Sequence, residues 1–173
     1  GLLRKAMEHP SYQVRQAAAR AIANFGAGGY QIAVSALGST RWEVSNTGIM
    51  GLREYGPKRV GRLLLEHHSP LFVLAHRCRE WDREASTACK TTDPLRQVLA
   101  DSMNRVIDRA LLVLEAMGHG SVINTVRLLL NSNQSRLQAS ALETLDSLNA
   151  EEVVRPLLPL IAHRMDRTDP HES

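Results

Sequence analysis

At 173 residues the chain suits one ordinary domain or a stack of about four to five two-helix units, and either buries a sizeable core. Its 43% apolar and 23% charged residues are a globular balance, and with only 4% aromatics and an apolar fraction rich in Ala and Leu it favours closely packed helices over a β-sandwich. The formal charge of +3 is spread among interspersed acids, a weak case for nucleic acid or a membrane surface as partner, and no run nears the ~20 apolar residues that cross a bilayer.

In chain order, the first signal is a repeat. Val14, Ala18, Ile22, Phe25 and Gly26 are matched by Val44, Gly48, Leu52, Tyr55 and Gly56, a period of about 30 residues. Steps of 4, 4 and 3 place the apolar residues on one helix stripe. A small residue at the second step lets another helix approach closely. The closing Gly tolerates the left-handed backbone that ends a helix, so each copy carries its own stop. A third copy reads Leu137, Ala141, Leu145, Leu148 and Asn149, with Asn in the stop position.

Second helices are expected over 30–37, 60–67, 123–130 and 153–162. Three of them finish before Ser39, Ser69 and Ser132, where polar turns lead into the next unit. No such helix buries its stripe alone, so stacked pairs are the physical solution. The spacing predicts an all-α fold, an α-solenoid of about four to five two-helix repeats. The repeats fall over 2–38, 40–68, an enlarged pair over 70–118, and 121–165, in one domain spanning 1–165 with a polar tail over 166–173.

The enlarged pair breaks the period. Its first helix, predicted over 71–90, is crowded with charge: His76, Arg77, Arg79, Glu80, Asp82, Arg83 and Glu84. Its second opens on Asp93 as cap and Pro94 in the first turn, and carries Leu95, Leu99, Val106, Ala110, Leu114 and Met117 on one stripe.

The run Val14, Arg15, Gln16, Ala17, Ala18 with Ala21, Ile22 and Gly26 resembles the HEAT repeat, in the subgroup called PBS-lyase HEAT-like repeats. The stretches 104–117, 123–131, 136–146 and 156–161 resemble the soluble HEAT region attached to bacterial transporters of the ADP/ATP-carrier and major-facilitator type. That resemblance implies a cytosolic appendage of a transporter, sometimes beside a cyclic-nucleotide-binding module. The start at Gly1 without Met fits a piece of a longer protein. No Gly-rich phosphate loop is present, so these residues are not assigned nucleotide binding or transport.

His67, His68, His76 and Cys78 are metal-ligand types, but they lack the tight spacing of zinc sites, and no metal, cofactor or catalytic residue is assigned. Cys78 and Cys89 would sit roughly 16 Å apart on one continuous helix, too far for a disulfide. Each reads as a small buried side chain before a nucleophile. Low Cys content and the lack of a signal-like leader point to a reducing, cytoplasmic setting, with tethering to an inner membrane through a larger parent. Asp101, Asp108 and Glu115 share one helix face, where Arg105 and Arg109 suggest a solvated ion-pair ladder. Arg53, Lys58, Arg59 and Arg62 crowd the turn after Tyr55. Trp42 opens a first helix and suits a repeat junction; Trp81, set among charges, reads as a packed side chain first and an interface anchor second.

The leading expectation is a non-catalytic protein-interaction or regulatory scaffold, its partner a protein or a neighbouring domain of the same chain. Arg59, Arg62, Arg79, Trp81 and Arg83 are the candidate binding residues. Two other classes stand beside it: a component of a bilin lyase acting on phycobiliproteins, implied by the PBS-lyase resemblance, and a nucleic-acid-binding HEAT solenoid, which would need a strong cationic groove.

Overall fold

The computed structural model describes residues 1–88 and 94–168, and among these there is no strand. In order come α1 (Leu2–Met7), α2 (Tyr12–Asn24), α3 (Gly26–Leu37), α4 (Trp42–Leu52), a 3-10 turn (Arg53–Tyr55), α5 (Pro57–Ala88), α6 (Pro94–Leu114), a kinked turn (Glu115–His119), α7 (Gly120–Leu130), α8 (Ser135–Asp146) and α9 (Glu151–Thr168). Cys89, the Asp93 cap and the tail from residue 169 lie outside the described residues.

The helices gather into two compact units. Gly1–His67 with Leu112–Gly120 form the first; His68–Leu111 with the chain from Ser121 onward form the second. α5 and α6 each contribute to both.

In the first unit, α2 packs against α1, α3 and α4, and α4 also packs against α3 and α1. The stripe read from sequence is buried as expected at Ala18, Ile22, Val44, Gly48 and Leu52, whereas Phe25 remains 66% exposed. Close approach explains the small residues. A Cβ at Gly48 would lie 2.8 Å from the Ala33 carbonyl oxygen and 2.9 Å from the Ala36 Cβ, and one at Gly29 would collide with the Ile22 carbonyl. Two buried hydroxyls in α4 are satisfied by main chain: Ser45 Oγ donates to Leu37 O at 3.0 Å, and Thr47 Oγ1 to Glu43 O at 2.7 Å. Gly26 (φ 56°) and Gly56 (φ 86°) supply the left-handed stops that the first two copies predict. The third copy differs. No non-glycine residue among those described has positive φ, so Asn149 is not a left-handed stop, and α8 ends at Ser147 with ordinary right-handed geometry (φ −74°).

The predicted break at Ser69 and Pro70, with a new helix from residue 71, is also corrected: α5 runs unbroken through Pro70. Val60, Leu64, His68, Phe72, Ala75, Cys78 and Asp82 are all buried and continue one stripe past the proline. Pro70 is exposed. The Glu66 carbonyl that loses its N–H partner therefore belongs to the exposed side of the helix, where solvent is the expected partner of that acceptor.

The second unit packs Cys78 of α5 against Leu99 and Met103 of α6, and α8 against α9. Val153, Leu157, Leu160 and Ile161 of α9 are buried. α9 is longer than the 153–162 expected, so part of the predicted tail, Asp166 to Thr168, is helical. α6 begins at Pro94 as its first-turn proline foretells, and Leu99, Val106, Ala110 and Leu114 are buried; Leu95 is 54% exposed, and Met117 lies beyond the helix.

Candidate functional site

Asp82 continues the buried stripe of α5, where an apolar residue would be ordinary. Its carboxylate is compensated by donors from α6 and α9. Oδ1 accepts from Arg96 Nε at 3.1 Å and from Arg167 Nη1 at 2.5 Å, and Oδ2 accepts from His163 Nε2 at 3.0 Å. The Asp82 side chain is 1% exposed, against 27%, 24% and 10% for Arg96, Arg167 and His163. Burial alone would push the carboxyl upward, but the bonds from Arg96, Arg167 and His163 together hold it below the usual carboxylate range. The His163 pKa is lowered too, but there burial outweighs Asp82, so the imidazole is neutral at pH 7 and donates Nε2–H. The cluster thus has one carboxylate and two guanidiniums.

Next to it, α6 and α9 enclose a cavity of about 260 Å³ lined by Gln97, Asn104, Leu160, His163, Arg164 and Arg167. Asn104 and Arg164 also border a second trough of about 440 Å³, where Asp108, Asn131, Asn133 and Gln138 supply polar walls. Burial lowers the Arg164 pKa, with Asp108 opposing, and desolvation raises Asp108 against the pull of Arg164 and Arg127. In the first unit, a trough of about 350 Å³ pairs its charges evenly, Arg20 and Arg53 against Glu54 and Glu115.

The residues singled out from sequence fall in both units. Arg59 and Arg62 belong to the first unit; Arg79, Trp81 and Arg83 belong to the second. The Arg59 guanidinium lies over the Tyr30 ring at 4.2 Å and the Tyr55 ring at 5.8 Å. Tyr30 and Tyr55 meet edge to face with centroids 5.3 Å apart. Arg62 Nε pairs with Glu66 at 3.0 Å on an exposed surface. Arg79 is half-buried, Arg83 is exposed and Trp81 is 51% exposed. At about 100° per residue, Arg79 and Arg83 share a face of α5, while Trp81 projects from nearly the opposite side. Within the second unit, Trp81 therefore does not share a helix face with Arg79 and Arg83.

Among the described residues no group of His, Cys, Asp and Glu is arranged to hold a metal. His68 is buried, edge-on to Phe72 at 4.5 Å, and burial together with Arg109 pushes its pKa down to about 3. His76 Nε2 lies 3.0 Å from the Pro156 carbonyl oxygen. Cys78 is buried and burial raises its thiol pKa, the reverse of nucleophile activation. Of the carboxylates on that face, Asp101 accepts from Gln97 Nε2 at 2.9 Å, Glu115 faces Arg53 at 4.0 Å and Asp108 is set against Arg164 and Arg127, while Arg109 is buried instead of solvated.

A HEAT repeat family model matches residues 1–28. Comparison with curated proteins and with solved structures gives no match. The matched stretch covers α1, α2 and the start of α3, the same segment whose Val14, Ala18 and Ile22 spacing recurs in α4.

Proposed function

We propose that this chain is an α-solenoid of HEAT-like two-helix repeats, one domain over 1–165, and that it works as a non-catalytic scaffold holding another polypeptide. The observation that carries this reading is the HEAT repeat match at residues 1–28, on a helix whose apolar spacing returns in α4 and α8. Stacked helix pairs leave extended surfaces free for partners. The packing of α4 against both α2 and α3, with Gly48 pressed on α3, supports repeat-on-repeat stacking in the first unit.

The resemblance of 104–161 to transporter-attached HEAT regions supports a place as the cytoplasmic region of a larger bacterial membrane protein. No helix among the described residues is long and apolar enough to cross a membrane, so any tether would come from other parts of a parent chain. The partner is then a neighbouring domain or a separate protein that meets the exposed face of α5.

The test is site-specific photo-crosslinking in cells making the full parent protein. A photoreactive residue at Trp81 or Arg62 is expected to give a discrete polypeptide adduct, while one at the exposed Glu143 of α8 gives none. Lack of any adduct from α5 positions, with the protein folded, would remove the scaffold reading.

A further inference from the structure

We propose that the paired troughs of the second unit receive a carboxylate side chain of an acidic peptide segment, with the cavity between α6 and α9 taking the carboxylate and the trough beside Asn131 and Asn133 taking the adjoining main chain. The assignment rests on the scaffold reading and names the chemistry of its partner.

Charge is the first argument. Asp82 balances only one of the two guanidiniums bonded to it, and the His163 imidazole adds none at pH 7, so the cluster carries a net positive charge among the described residues. Around the two troughs Arg96, Arg167, Arg164 and Arg127 stand against Asp82, Asp108 and the Asp101 bonded to Gln97, so four guanidiniums face three carboxylates and the surplus among these groups is one. A monoanion matches this surplus; a phosphate dianion overshoots it. Partial enclosure strengthens the attraction relative to open solvent.

Preorganisation is the second. Asp82 fixes both Arg167 and His163, so little side-chain freedom remains to be lost when a ligand arrives, and a planar guanidinium matches a carboxylate in bidentate fashion. Size is the third: about 260 Å³ falls below the roughly 300–1,000 Å³ of sites for drug-sized ligands and fits one side chain better than a nucleotide. Leu160 offers the apolar wall that a Glu stem needs, and Gln97 and Asn104 offer amide donors. Asn131, Asn133 and Gln138 in the adjoining trough are the side-chain type that pairs with peptide N–H and C=O groups.

The experiment is fluorescence anisotropy of the whole chain with a labelled hexaglutamate peptide, with hexalysine and inorganic phosphate as competitors. Saturable binding is expected, displaced by unlabelled hexaglutamate and not by hexalysine or phosphate. Gln97 is exposed at the mouth, so its charge can be changed without disturbing the core. Gln97→Lys is expected to tighten binding about threefold and Gln97→Glu to weaken it about threefold, as one exposed charge permits. The same swaps at the exposed Gln13 of α2 should have no effect, which separates a site from the general attraction of a basic protein. Arg164→Met should abolish saturation while circular dichroism reports an intact fold. Equal affinity across the Gln97 pair, displacement by phosphate, or no binding by folded protein overturns the assignment. If hexaglutamate fails while crosslinks from α5 persist, the carboxylate site falls and the scaffold stands; if both fail, the scaffold falls too.

Discussion

Asp82 and His163 are 81 residues apart in sequence and meet at 3.0 Å inside the second unit, joining α5 to α9. The bond has a direction: a neutral imidazole donates to a carboxylate kept ionised by Arg96 and Arg167. Asp82→Asn removes the charge and leaves two guanidiniums facing a neutral amide. Breaking a buried pair from one side typically costs about 3 kcal/mol or more. Urea denaturation should show a loss of that size, and His163→Ala a smaller one of about 1 kcal/mol. An Asp82→Asn protein as stable as wild type would show that the cluster does not hold these helices together.

His68 makes stability depend on pH in a defined sense. Its ordinary pKa of 6.5 falls to about 3 in the fold, from burial first and Arg109 second. Between those values the unfolded chain binds the proton and the folded chain does not, so stability is full above pH 6.5 and falls as the pH drops toward 3, at about 1.4 kcal/mol per pH unit. His163 and His76, also lowered, tilt the curve the same way. The depressed Asp82 carboxyl acts lower: its stabilisation is present above its unfolded value and is lost as pH falls through the folded one. Urea midpoints from pH 7 to 5 should decline, and His68→Leu should flatten the decline. An unchanged slope in that variant would assign the effect to other groups.

Much of the first unit is legible in the sequence, and the charged cluster of the second is not. The α2 and α4 stripes and the stops at Gly26 and Gly56 follow from local rules of helix spacing and backbone freedom. The charged cluster does not, because its members come from three helices far apart in the chain. A signal existed all the same. Asp82 stands in step with Phe72, Ala75 and Cys78, and His163 follows Leu157 and Leu160, so each is a polar residue on a buried stripe. Read by type, Asp82 looks like one more surface charge; read by register, it must be buried and therefore paired.

Glycine substitutions separate close packing from backbone entropy. Gly48→Ala drives a methyl to 2.8 Å from the Ala33 carbonyl, so α3 and α4 must part. A loss of about 2 kcal/mol is expected. Gly61 in α5 is helical with nothing within 4 Å of a built Cβ, so Gly61→Ala should stabilise by about 0.5–1 kcal/mol. Thermal denaturation of the two single variants should move in opposite directions. The same sign for both would mean that the Gly48 contact is not a close one.

Cys78 should be a silent thiol. It packs with Leu99 and Met103, and its pKa is raised by burial, so thiolate is scarce and access poor. In a Cys89→Ser background, Ellman's reagent should label the native protein at least about tenfold more slowly than the urea-unfolded chain, since burial and thiol protonation both slow attack. Rapid labelling of native protein would contradict the packing of α5 on α6.

Pro70 gives the last test, because sequence and structure disagree there. A proline inside a helix deletes one main-chain bond and crowds the carbonyl four residues earlier, a cost of about 3 kcal/mol in a regular helix interior. The predicted turn would make proline favourable, and Pro70→Ala would then lower stability by releasing backbone freedom. The unbroken α5 requires the opposite: alanine restores the N–H to the Glu66 carbonyl, and stability should rise by about 1–3 kcal/mol. Only part of the full cost is recovered, because Pro70 is exposed and solvent offers a carbonyl on that side an alternative donor. Hydrogen exchange at the neighbouring amides should slow in step, since a straightened ladder opens less often. A drop in stability on Pro70→Ala would restore the turn at Ser69 and divide α5 into two helices.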